Sequence, residues 1–387
     1  MMNVFGNSSF INIAPTPAAG TGMGRLVIMG MGETVQRVDP YIGFSHRGME
    51  KCMERATVLQ GLVYADKLNR SAPFSCTHAF VAAVEKLLGI TVPERAAYIR
   101  VILAETGRIL SHLHATANLA AETGTDSVYS LVDRMSERIY GLIEEMCGNC
   151  APCVFIRCGG VKGDLSSQAQ KDLSVWLSEE LPPVLQEIED LLTENRIFKS
   201  RTVGIGKIDA SLAVSYGFSG VDLRACGVRR DLRTAEPYEA YQRLSFDVPV
   251  KTEGDCYARY LLRIFEIYQS MQIIRQALEK IPQGSVIVPE LITTELQSLT
   301  QISRHFEMYG EGMALPAGEV YAAVESPLGE FGVFLVSDGT VHPYRCHFRS
   351  AGFPVMQALD ALTEGCDLAD VRVIAASLNV ITTETDR

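Results

Sequence analysis

From about Glu50 to Leu278 the apolar positions recur at helical spacing. The clearest stripe is Val128, Leu131, Val132, Met135, Ile139, Leu142, Ile143 and Met146, which starts after a break at Gly124. A second stripe, Ile99, Ile102, Thr106, Ile109 and Leu113, predicts a helix near Glu94–Ala121. A third spans Leu173–Leu192 and is interrupted by Pro182-Pro183, which must kink or split it because proline lacks an N–H and crowds the preceding turn. A fourth runs from Tyr257 to Leu278 with Leu261, Ile264, Tyr268, Met271 and Ile274 on its apolar face. Both ends of the chain have a different texture. Phe10–Ile13 and Arg25–Met29 are short β-rich runs between Gly/Pro turns. Glu319–Val324 and Phe331–Ser337 read as a hairpin joined around Pro327-Leu328-Gly329, with Val341–Arg349 as a third strand. The pattern predicts an α+β fold with helices dominant: an N-terminal β region over 1–45, a helical body over 46–284 and a C-terminal β-rich region over 285–387.

Composition changes this picture little. Hydrophobic residues make up 47% of the 387 and charged residues 21%, an ordinary globular balance. A net charge of −11 argues against nucleic acid as the main partner, since phosphate binding needs a basic face. No apolar run approaches the roughly 18–20 residues that span a bilayer, so any membrane contact is expected through partners. Met1 to Pro17 has the pattern of neither a signal peptide nor a transit peptide. Ten cysteines without regular spacing fit a reducing compartment.

Several motifs carry candidate chemistry. Gly20-Thr21-Gly22-Met23-Gly24 resembles half of a dinucleotide fingerprint, yet Arg25-Leu26-Val27-Ile28-Met29 after it reads as strand where that motif needs a helix. Cys147, Cys150 and Cys153 have the spacing of three iron–sulfur ligands, and Cys158 could complete the set. The competing reading is a group of small buried hydrophobes. Glu105, Arg108 and His112 fall at i, i+3, i+7 on one helix flank, as a buried ion-pair network or a polar path for protons, with the network favoured. His46-Arg47-Gly48-Met49-Glu50-Lys51 opens the helical body and by itself reads as a helix start with solvated charges. The seven histidines form no HExxH or paired metal motif, and no protein-held metal is expected.

Longer stretches resemble one family. Asp39-Pro40-Tyr41-Ile42-Gly43-Phe44-Ser45-His46-Arg47-Gly48-Met49-Glu50-Lys51 is similar to the segment that opens the body of the 49 kDa-type subunit of respiratory complex I. The same holds for Ala83-Val84-Glu85-Lys86-Leu87-Leu88-Gly89, Tyr216-Gly217-Phe218-Ser219-Gly220, Leu223-Arg224 and Asp231-Leu232-Arg233. It holds also for Gly254-Asp255-Cys256-Tyr257, Gly329-Glu330-Phe331-Gly332 and the closing Asp386-Arg387. These matches run in family order from about residue 25 to the last. The resemblance implies a hydrogenase-large-subunit-like fold. A hydrogenase metal centre itself is ruled out, because Asn69-Arg70-Ser71-Ala72 stands where a Cys-x-x-Cys pair is required and the last twenty residues hold no cysteine.

By resemblance, the chain is a core peripheral-arm subunit of a proton-pumping NADH:quinone oxidoreductase, and forms a quinone chamber beside the terminal iron–sulfur cluster of a neighbouring subunit. NADH is used elsewhere in that complex. Arg47, Arg70 and Glu122 are then the candidate catalytic residues. His46, Arg47, Glu105, Arg108 and His112 are the candidate cofactor-binding ones, with Arg47 nearest the cluster. The implied partners are the small cluster-bearing subunit, the 30 kDa-type subunit, a two-cluster ferredoxin-like subunit and the membrane subunit at the quinone entrance. The implied location is peripheral to a bacterial inner membrane on its cytoplasmic face, or the mitochondrial matrix side. Three family features are replaced. Thr16-Pro17-Ala18-Ala19-Gly20-Thr21-Gly22 stands for a loop with two histidines, Arg70 for a headgroup-binding tyrosine, and Pro152 for a histidine near the cluster. The alternative reading is a catalytically silent scaffold that keeps the fold and the interfaces.

Overall fold

In the computed structural model, which describes residues 2–5, 8–13, 24–149, 154–291 and 299–387, the N-terminal β runs form an antiparallel sheet of order β1-β2-β3-β4. Its strands are β1 Met2–Phe5, β2 Ser8–Ile13, β3 Arg25–Met31 and β4 Thr34–Tyr41. The expected strands are β2 and β3; β1 and β4 escape the sequence pattern because their residues do not alternate cleanly. Met31 pairs with Thr34 across a two-residue turn, and Gly32 supplies its left-handed conformation at φ +67. Ile28, Val35 and Val38 point from this sheet into the core.

The helical body begins with α1 Met49–Met53, α2 Val58–Asp66 and α3 Ser75–Leu88. It continues through α4 Glu94–Glu122 and α5 Ser127–Cys147. All eight residues of the predicted stripe are buried on α5, as the period requires. Helix α4 differs from its one-sided prediction: Arg100, Glu105, Arg108 and His112 are buried along with its apolar face. It is enclosed on all sides because it packs at the centre against α5 and against α12 Cys256–Lys280.

Between them lie β5 Ile156–Arg157, β6 Gly160–Val161, α6 Ser167–Val175 and α7 Leu181–Leu192. A π-helical turn over Trp176–Glu180 separates α6 from α7, so the proline pair splits the predicted helix. Pro182 and Pro183 sit in the first turn of α7, where their missing N–H groups would lack helical partners anyway. Short helices follow: α8 Arg196–Thr202, α9 Ala210–Tyr216, α10 Gly220–Arg224 and α11 Leu232–Ala235.

After α13 Leu299–Phe306 comes the second large sheet: β7 Gly318–Ser326, β8 Gly329–Ser337 and β9 Arg345–Arg349, in that order and antiparallel. Pro327-Leu328 closes the predicted hairpin. Beyond Arg349 the expected β-rich texture gives way to helices: α14 Gly352–Gln357, α15 Leu359–Thr363, α16 Asp370–Leu378 and α17 Thr382–Thr385. Val371, Val373, Ile374 and Leu378 are β-prone types, but their spacing buries one helical face against α4. One continuous core runs from Ile28 to Val380 and joins both sheets to the body. Among the described residues, no helix is long and apolar enough to cross a membrane.

Candidate functional site

The last residues of the chain gather two loops. Asp386 accepts the Gly43 and Ser45 amides, one on each carboxylate oxygen, both at 2.8 Å. Its backbone carbonyl lies 2.7 Å from His46 Nδ1; since a carbonyl can only accept, that nitrogen carries the proton. Arg47 is exposed and donates to the Lys67 carbonyl at 2.7 Å, which ties the first loop to the segment after α2. Thr383 donates to the Leu68 carbonyl at 2.9 Å, and the Asn69 amide donates to Glu384 at 2.5 Å. The other end of Asn69 accepts the amides of Ser71 and Ala72, each at 3.0 Å, which forms the turn that presents exposed Arg70. Glu50 on α1 pairs with Arg387 at 3.2 Å and with Arg345 of β9. His46, Arg47 and the Arg70 turn therefore lie around one feature, the C-terminal tail.

A cavity of about 110 Å³ adjoins the Arg70 turn. Ser71, His114, Asn118, Tyr129, Asp133 and Asn379 line it. The Ser136 hydroxyl donates to the Val132 carbonyl at 2.8 Å, so His114 Nε2, 2.8 Å from that hydroxyl, is the donor of the pair. Burial lowers the pKa of His114 and favours the neutral ring. Glu122 ends α4 in a two-pronged ion pair with Arg372 of α16, both contacts at 2.9 Å.

Glu105, Arg108 and His112 lie inside the body in one buried network. Glu105 receives Arg233, Arg108, Tyr241 and Ser270. Burial alone would raise its pKa, but Arg108 and Arg233 hold it low, with help from Ser270 and Tyr241. Glu266 binds Arg224 at 2.6 Å and His112 at 2.9 Å. Against burial, Arg224, His112 and Arg108 keep it well below the usual carboxylate range. Burial pushes His112 down to about 4, so it donates as a neutral imidazole. Arg224 also binds Glu325, whose pKa rises with burial and with Asp231 nearby. Three guanidiniums (Arg108, Arg224, Arg233) thus face four carboxyls (Glu105, Asp231, Glu266, Glu325). These contacts match the ion-pair arrangement favoured from the i, i+3, i+7 spacing. Along α4 at 1.5 Å per residue, roughly 26 Å separates Glu105 from Glu122, so the helix spaces them apart.

Cys147 closes α5 and Cys158 lies between β5 and β6; both are buried, which pushes both thiols up to about 12. Cys150, Cys153, Pro152 and the Thr16–Gly22 loop lie outside the described residues. Sequence reasoning missed Asn69, Glu384 and His114. The available signal for the first two was polar residues beside the quoted Arg70 and Asp386-Arg387.

Residues 122–387 match the family described as respiratory-chain NADH dehydrogenase, 49 Kd subunit. Over 383 residues the chain is 44% identical to the D-type subunit of NADH-quinone oxidoreductase from Wolbachia sp. subsp. Brugia malayi, covering 97% of this chain and 98% of that one. The protein of the same name from Rhodopseudomonas palustris is 45% identical over 389 residues, covering 97% and 98%. That from Caulobacter vibrioides is 43% identical over 387 residues, covering 97% and 96%. Similarity of this degree along the whole length carries the conclusion that the chain belongs to the 49 Kd subunit family of the respiratory-chain NADH dehydrogenase.

Proposed function

We propose that this chain is a core subunit of NADH:quinone oxidoreductase, working with other subunits of that complex and forming its quinone-reduction chamber. The observation that carries the reading is its full-length identity to relatives named for NADH–quinone oxidoreduction. The chamber is bordered by the His46–Arg47 loop, the Arg70 turn and the C-terminal tail. Arg47 supplies a fixed positive charge toward an iron–sulfur cluster in a neighbouring subunit, which favours the cluster's reduced form. Arg70 offers hydrogen bonds to a quinone oxygen but cannot release a proton near neutral pH. His46 orients the loop from the Asp386 carbonyl. Glu122 braces the far end of α4 through Arg372. Glu105, Arg108 and His112 form the polar interior leading away from the chamber.

NADH is oxidised elsewhere in the complex. The small cluster-bearing subunit, the 30 kDa-type subunit, a ferredoxin-like subunit and a membrane subunit at the quinone entrance are the expected neighbours. The assembly lies peripheral to the membrane on the bacterial cytoplasmic face or the mitochondrial matrix side, and its body has the hydrogenase-large-subunit fold. The silent-scaffold alternative gains no support from the relatives' names.

Arg47→Ala tests the reading in membranes that carry the whole complex. NADH:quinone activity falls at least tenfold, while NADH:ferricyanide activity, which bypasses the chamber, is retained. Unchanged quinone reduction would overturn the role of Arg47.

A further inference from the structure

Glu384 is enclosed at the point where the tail meets both loops. Its side chain is 1% exposed, and only Oε2 is engaged, by the Asn69 amide. Oε1 has no hydrogen-bond partner of good geometry among the described residues, although the Ser350 hydroxyl and the Ala351 amide lie beside it. The neighbouring carboxyls differ: both oxygens of Asp386 accept backbone amides, and both oxygens of Glu50 are taken by Arg345, Arg387 and the Phe348 amide. The adjacent Thr383 is anchored to Leu68, so Glu384 lies between the Arg47 loop and the Arg70 turn. A buried carboxyl with one neutral donor is best accommodated protonated, its hydrogen directed from the free oxygen.

We propose that Glu384 is an internal proton donor to the quinone chamber, held in place by Asn69. The inference rests on the chamber reading above. Converting a quinone to a hydroquinone takes up two electrons and two protons. The electrons come from the iron–sulfur cluster of a neighbouring subunit. The O–H bond of Glu384 breaks, an O–H bond forms on a reduced quinone oxygen, and the carboxylate left behind is reprotonated from bulk solvent. The second proton comes from solvent. Arg47 and Arg70 cannot take this role, and His46 Nδ1–H is engaged by the Asp386 carbonyl.

Burial supports the assignment by raising Glu384 to about 7, against the opposing influence of the Asn69 amide, the Ala351 amide, the Arg387 guanidinium and the Ser350 hydroxyl. The Cys76 thiol of α3 faces it and, being buried, is itself raised well above its usual value. A donor of this kind is loaded below neutral pH and empties as pH rises through its pKa.

The test is NADH:quinone activity across roughly pH 6–9 in membranes with the assembled complex, with NADH:ferricyanide activity as the control. The unsubstituted complex loses rate on the alkaline side. Glu384→Gln keeps the shape of the side chain, lowers the rate at least tenfold near neutral pH and removes that alkaline limb. Asn69→Asp keeps the oxygen that holds Ser71 and Ala72 while placing a second carboxyl beside Glu384, which moves the limb to higher pH. A Glu384→Gln complex with the original rate and profile, or one with a lower rate but an unchanged alkaline limb, overturns the proposal. Should that variant fail to assemble, reduced-minus-oxidised infrared spectra of the unsubstituted complex decide. A carboxylic-acid C=O band that changes with quinone reduction supports Glu384, and its absence overturns it. If Arg47→Ala abolishes quinone reduction and Glu384→Gln does not, the donor assignment alone fails. If Arg47→Ala has no effect, the chamber reading fails first.

Discussion

His112 and Glu266 form a buried pair in which the carboxylate is charged and the imidazole is not, because burial outweighs the attraction between them. The consequence for stability follows from the sign of the His112 shift. Its folded pKa, about 4, is below the ordinary value of 6.5, so between those limits only the unfolded chain takes up the proton. Above pH 6.5 this group adds no pH dependence; as pH falls toward 4 it removes stability, in total roughly 3 kcal/mol at about 1.4 kcal/mol per pH unit. Urea denaturation at several pH values should show that slope in the native chain. His112→Gln, which keeps a donor for Glu266, should flatten it. Arg224 lies deeper in the same network, bound to both Glu266 and Glu325. Arg224→Met leaves two carboxyls without their shared cation and should cost about 3–5 kcal/mol in the same measurement.

Helix α12 shows how a start signal is reinforced by tertiary contacts. Asp255 caps it by accepting the Ala258 amide at 2.7 Å, and its other oxygen accepts the Gly204 amide at 2.7 Å. Gly254 before it adopts φ +68, and a Cβ there would meet the Ile208 carbonyl at 2.2 Å. The run Gly254-Asp255-Cys256 therefore has a local physical reason: close backbone approach, then a cap, then a buried helix. Asp255→Ala should lower stability by about 2 kcal/mol or more, since it removes a cap and leaves a second amide unpaired. The midpoint of thermal or urea unfolding, compared with Asp255→Asn, checks this: asparagine retains much of the cap. The helices α6 and α7 show the opposite case, in which two prolines are placed in a first turn and a wider turn absorbs the change.

At the scale of the whole molecule, the C-terminal tail closes the fold onto its own N-terminal third. Residues more than 300 positions apart meet when Asp386 holds Gly43 and Ser45 and Glu384 holds Asn69. Asp386→Ala should leave the helical content unchanged, release the His46–Arg47 loop and reduce NADH:quinone activity with NADH:ferricyanide activity intact. Circular dichroism and the two activities check both parts. Much of the architecture was legible in the sequence. The long helices, the β2 and β3 strands, the hairpin and the proline break all follow from hydrophobic period and from the missing proline N–H, which are local properties. Family membership was legible too, through collinear motifs. The placement of Glu105, Arg108 and His112 on one flank was also local, but their partners Arg233, Glu266, Tyr241 and Ser270 come from distant elements. The sequence by itself determined which segments are helical and which polar groups share a face. Only the tertiary structure decided which charges are paired, that His112 is neutral, and that Glu384 is enclosed beside Asn69. Burial and partner identity set protonation, and both arise only when remote parts of the chain meet.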